Sequence, residues 1–99
     1  LAASVDQPFL SAVSIKRLLS SGVKGGNYGM GWIILQRPWA QGDALTHAGS
    51  NTTWFANAWV APEIDVAFLV AVNAYGEGVP AAADGFIGQS VMAMGRNRK

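Results

Sequence analysis

The chain has 99 residues, 51% of them hydrophobic and only 13% charged, with a net charge of +1. A chain this long holds one small core, burying about 60–65% of its unfolded surface. So little charge offers no field for nucleic acid or an acidic membrane. No apolar run is long enough to span a bilayer, and the lack of cysteine excludes disulfides and thiolate metal sites while leaving the compartment open.

The start, Leu1-Ala2-Ala3-Ser4, has neither an initiating Met nor a signal-peptide pattern, and reads as the interior of a longer frame or a trimmed start. Pro8 suits a first helical turn with Asp6 as its cap. Phe9, Leu10, Val13, Leu18 and Leu19 follow as a helical stripe, with Lys16 and Arg17 facing out. Ser20-Ser21-Gly22 ends that helix, with Gly22 suited to the left-handed position. Gly25-Gly26-Asn27 is a turn.

Four strands are predicted next. Met30–Gln36 is bulky and β-branched, and Leu45–Ala48 is short. In 53–61, Trp54, Ala56, Ala58 and Val60 share one face and Phe55, Asn57, Trp59 and Ala61 the other. Pro62-Glu63-Ile64-Asp65 is a turn. Val66–Asn73 is almost wholly apolar, the pattern of a central strand buried on both faces. Pro80 opens a last helix whose stripe is Ala83, Phe86, Ile87, Val91 and Met94. Gly85 and Gly88 weaken it unless they let it lie close to the sheet. The basic end, Arg96 to Lys99, reads as a solvated tail.

Short links between neighbouring strands favour an antiparallel meander. The expected fold is α+β: an antiparallel sheet of three to four strands packed against an N-terminal and a C-terminal helix, in one domain spanning 1–99.

His47 is the only histidine. By itself it is most simply a structural hydrogen-bonding residue. With no second His or Cys, and with Asp43, Glu63 and Asp65 lacking ligand spacing, the sequence points to no metal and no cofactor. The Trp54, Phe55 and Trp59 group reads as core packing, Asn51 as a turn residue, and Met92 and Met94 as core or interface filler.

Two phrases change this picture. Tyr28-Gly29-Met30-Gly31-Trp32 is followed by His47-Ala48-Gly49, then by Ser50-Asn51 with an aromatic at Trp54 or Phe55, and finally by Pro62, an apolar strand and Asn73. In order and spacing the chain resembles the C-terminal portion of the serine β-lactamase and penicillin-binding protein superfamily, in its class C-like and esterase branch. The resemblance implies acyl transfer on an ester, amide or β-lactam small-molecule substrate. It makes His47 and Ser50 catalytic, His47 as a side chain aimed at substrate and Ser50 as a backbone N–H donor to the oxyanion. It makes Gly49 and Asn51 substrate-binding, with Gly49 leaving room for substrate against the strand. Donors of this kind lower a barrier by roughly 3–4 kcal/mol.

The family nucleophile, a Ser-x-x-Lys opening a helix, has no convincing counterpart. Ser21-Gly22-Val23-Lys24 matches the letters, but its glycines put it in a helix-ending loop, just before Tyr28. The family's Tyr-x-Asn motif is absent as well. The chain is therefore expected to be inactive alone, its partner being a missing N-terminal part of the same fold. The alternative is a stand-alone non-catalytic domain that self-associates as a homo-oligomer or binds a partner, as few charges and four tryptophans suggest.

Overall fold

Residues 9–97 are described in the computed structural model. Asp6, Pro8, the first residues of the chain and its last two lie outside this range. Helix α1 spans Ala12–Leu18, and its cap is Ser11, whose Oγ accepts the Ser14 N–H at 3.1 Å. The start is thus later than the sequence pattern indicated, because Ser11 supplies the side-chain acceptor that satisfies a first-turn donor. No residue of α1 is buried, and Phe9 is 92% exposed. Of the expected apolar stripe, Phe9, Val13 and Leu18 stand exposed, while Leu10 and Leu19 are half-buried. The helix does end before Ser20-Ser21-Gly22, but the left-handed glycine there is Gly25 (φ +76°), not Gly22.

Strands β1 (Ile33–Arg37), β2 (Gly42–Ser50), β3 (Phe55–Ala61) and β4 (Val66–Val72) form one antiparallel sheet in the order β1-β2-β3-β4. With α2 (Val79–Asn97) they give the expected α+β meander with two helices. Strand β1 begins three residues later than predicted. Gly31 takes φ +88°, which breaks an extended run, and a Cβ on Gly29 would stand 2.8 Å from the Ser20 carbonyl oxygen. The two glycines of the Tyr-Gly-x-Gly-Trp phrase thus build a tight turn. Strand β2 is longer than predicted, running through the His47 phrase to Ser50.

The β1–β2 and β3–β4 links share one design. Each is a single 3₁₀ turn opened by proline, Pro38–Ala40 or Pro62–Ile64, followed by a left-handed residue, Gln41 (φ 57°) or Asp65 (φ 56°). The left-handed N–H closes on the proline carbonyl at 3.1 Å and 3.2 Å respectively. Proline pre-sets the first φ of such a turn, which is why the sequence already marked the place at Pro62.

Helix α2 covers one sheet face. Ala83 and Ile87 are buried from the helix, with Phe55, Asn57 and Ala61 from β3. At the hairpin end, Ala40, Ala44 and Ala61 are fully buried beneath Trp39, Trp59 and Ile64. Trp39 meets Trp59 edge-on at 6.2 Å and Phe68 at 5.8 Å. Such contacts are worth about 0.5–1.5 kcal/mol beyond the area they bury.

Three expectations are corrected here. Strand β4 is an edge strand, not a central one, and its burial alternates: Val66, Phe68, Val70 and Val72 face α2 while Leu69 on the other face is 72% exposed. Phe86 of the α2 stripe is 55% exposed. Nor do Gly85 and Gly88 serve a close approach, since a Cβ at either would meet nothing within 4 Å.

Candidate functional site

The face away from α2 is buried only near the hairpin end, where Ile34, Leu45 and Val60 pair across the sheet and Leu45 is 1% exposed. Beyond that row lie His47, Ala58 and Leu69, and then Gly49, Ala56 and Ala71. These residues floor a shallow recess of about 720 Å³, walled by Met30 and Trp32 from the Gly31 turn. A second recess of about 620 Å³ adjoins it, between Gly49, Ser50, Trp54 and Asn73. His47 and Gly49 therefore share one open apolar floor. A Cβ on Gly49 would meet nothing within 4 Å, so the floor is clear above it.

The backbone of β2 is equally open on one side. Ile34 N–H donates to the Asn27 carbonyl at 2.7 Å, and Gly29 N–H to the Trp32 carbonyl at 2.8 Å. Those groups point away from β2, so Ile33, lying between them, directs its own N–H and C=O toward Thr46, its partner in β2. Antiparallel ladders alternate. Thr46, Ala48 and Ser50 thus aim their backbone groups to the β1 side, while Leu45, His47 and Gly49 bond to β3. Pairing with β1 stops at Thr46, whereas pairing with β3 continues to Ser50. The N–H groups of Ala48 and Ser50 consequently lie on a stretch of edge that no described strand covers.

The loop after β2 is held by its own side chains. Ser50 Oγ accepts the Thr52 N–H at 3.2 Å. Asn51 Oδ1 accepts the Thr53 N–H at 3.3 Å and the Thr53 hydroxyl at 3.0 Å. Asn51 thus behaves as a turn residue, closing an Asx turn. Strand parity puts the Ser50 side chain on the opposite face from His47, so the imidazole is no base for that hydroxyl.

Trp54 departs from the core reading. It precedes β3, is 57% exposed and lines the smaller recess. Phe55 and Trp59 do pack inward, Phe55 stacking on Tyr75 at 6.2 Å. Ser21 lies in the loop after α1, as its glycines indicated. Its Oγ accepts the Val23 N–H at 3.0 Å and donates to the Val23 carbonyl at 2.9 Å, turning the hydroxyl back on its own chain. The recesses thus set an imidazole and a bare glycine beside an open N–H edge, and among the described residues neither the Ser21 nor the Ser50 hydroxyl is bonded to that imidazole.

Sequence reasoning overlooked one polar group that braces the floor from behind. Asn57, 6% exposed, donates from Nδ2 to Asp84 Oδ1 of α2 at 3.2 Å and accepts the Thr46 hydroxyl at 3.4 Å. Its signal was present: an amide at an inward position of an otherwise apolar strand face requires partners. No protein-family model, no curated protein and no solved structure matches the chain.

Proposed function

We propose that the chain is the substrate-facing wall of a β-lactamase-like serine hydrolase, with the nucleophile supplied by residues outside these 99. The observation that carries this reading is the Ser50 N–H on an uncovered strand edge, beside a floor that holds His47 and Gly49. A carbonyl set against that edge, over Gly49, would direct its oxygen at the Ser50 N–H as negative charge builds there on acylation. His47 would orient the rest of an ester, amide or β-lactam substrate. Asn51 would fix the loop that ends the edge. The meander order supports the reading, since it sets the His47 strand beside the β3 strand and that beside β4.

Two experiments test it. The 99-residue chain treated with a fluorophosphonate probe is expected to stay unlabelled at Ser21 by mass spectrometry, and labelling there overturns the reading. In a longer protein that carries an upstream Ser-x-x-Lys on a helix start, that serine is expected to acylate with a chromogenic β-lactam or a p-nitrophenyl ester. Ser50→Pro removes the donor N–H at an edge position that tolerates proline and is expected to lower kcat about 10²–10³-fold. Ser50→Ala keeps the N–H and is expected to change little. Equal effects of the two substitutions would rule out the backbone role.

A further inference from the structure

The face of the sheet opposite His47 carries a cleft of about 270 Å³ between α2 and the β1–β2 hairpin. Its helix wall is Asp84, Ile87, Gly88 and Val91, which helical spacing sets on one flank of α2. Its sheet wall is Arg37, Trp39 and Trp59. Ile33, Thr46 and Trp59 form one row across the sheet, and Arg37 follows Ile33 at even spacing, so Arg37 and Trp59 share the α2 side. Gly88 adds no side chain, and a Cβ there would meet nothing within 4 Å, so helix and hairpin stand apart. Arg37 lies on β1, the strand farthest from the β4 edge. The cleft is thus separate from that edge, from the Ser50 edge and from the recesses, where the rest of the proposed hydrolase would join.

The two walls carry unlike charges that do not meet. Such charges across one cleft attract, but each is held by something else. The Arg37 guanidinium lies 5.6 Å from the centre of the Trp59 ring and donates from Nη1 to the Gln36 carbonyl at 3.0 Å. Asp84 Oδ1 accepts from Asn57 Nδ2 at 3.2 Å. Among the described residues, no ion pair joins Arg37 to Asp84. Most of the guanidinium donors and the second Asp84 oxygen are left for a guest. Stacking on Trp59 fixes the guanidinium plane beforehand, which lowers the ordering cost of binding.

These walls define the chemistry of the guest. A guanidinium takes a carboxylate through two parallel N–H···O bonds, and the Asp84 oxygen takes an ammonium. A guest bearing only a negative charge would face Asp84, and one bearing only a positive charge would face Arg37. The space between is apolar, lined by Trp39, Trp59, Ile87 and Val91. It is smaller than the roughly 300–1,000 Å³ of sites for drug-sized ligands, so the guest is small.

We infer that this cleft binds a free α-amino acid with an apolar side chain. Its carboxylate meets Arg37, its ammonium meets Asp84, and its side chain fills the space above Gly88. The site is distinct from the proposed acyl-transfer wall and does not depend on that reading.

The test follows the Trp39 and Trp59 indole N–H and the Arg37 Nε–H by heteronuclear NMR while L-leucine is added. All three signals are expected to shift saturably, with those of His47 unmoved. L-Leucinamide lacks the carboxylate and N-acetyl-L-leucine lacks the ammonium. Each is expected to bind at least about tenfold more weakly, because it leaves one wall charge unmatched. Asp84→Asn keeps an Oδ1 acceptor for Asn57 while removing the charge. It is expected to lower leucine affinity by the same factor, with the circular dichroism spectrum of the parent. The ligand series needs no variant, so it decides the matter even if Asp84→Asn fails to fold. No saturable shift up to the solubility of leucine overturns the inference. So does leucinamide or N-acetyl-leucine binding as tightly as leucine, or a folded Asp84→Asn that binds leucine like the parent.

Discussion

Asn57 of β3 and Asp84 of α2 are joined side chain to side chain at 3.2 Å, the hydrogen bond that ties the last helix to the middle of the sheet. The Thr46 hydroxyl stands 3.4 Å from the Asn57 Oδ1, with the Ala58 carbonyl as its closer acceptor at 2.9 Å. A buried amide whose N–H donor is met by Asp84 rewards one docking position of the helix and penalises the others.

Asp84→Ala is expected to destabilise by about 1 kcal/mol, since water reaches the exposed Asp84 side and replaces part of the bond. Asn57→Ala is expected to cost more, about 1–3 kcal/mol, because it also removes side-chain volume from a buried site. Urea denaturation at fixed protein concentration checks this as a lower midpoint with an unchanged slope. Equal losses from both substitutions would count against this picture of the network.

Gly85→Ala and Gly88→Ala are each expected to stabilise the chain by about 0.5–1 kcal/mol. Both positions are inside α2, a Cβ at either meets nothing within 4 Å, and alanine lowers the entropy of the unfolded chain. A melting curve reads this as a rise in Tm. A fall would mean that something packs against these glycines.

Gln41→Gly is expected to stabilise by up to about 1 kcal/mol. Gln41 holds φ 57°, a region that costs a side chain of this kind about 1–2 kcal/mol, partly offset by glycine's greater unfolded freedom. Chemical denaturation of the single variant measures it, and a loss of stability would show that the glutamine side chain compensates for its backbone.

Gly49→Val and His47→Ala are expected to leave stability within about 0.5 kcal/mol, because both positions stand on the open face. In a longer, acylating protein Gly49→Val is expected to raise KM by filling the floor where substrate would lie. Stability and kinetics measured on the same variants separate the two effects. A strong loss of fold in the 99-residue chain would mark these residues as structural instead.

Much of this architecture was legible in the residues. Period-2 alternation told which side chains of β3 share a face, and Pro62 marked the tight link after it. Helical spacing found α2 and its buried Ala83 and Ile87. These are local signals, carried by backbone geometry within a few residues. The sequence likewise put Ser21-x-x-Lys24 in a loop, since its glycines argue against a helix start.

Position in the sheet was not legible, because an apolar strand reads alike at the centre and at an edge. Only the tertiary structure decided that β4 is an edge strand with Leu69 bare, that Trp54 faces a recess and that Phe9, before α1, and Val13, within it, are exposed. The uncovered Ser50 edge has the same origin. It exists because β1 stops pairing at Thr46 while β3 continues to Ser50, and that difference in reach between two neighbouring strands is set by where the Gly31 turn directs the chain. Local sequence chose the elements, and their neighbours chose which faces and edges stay open.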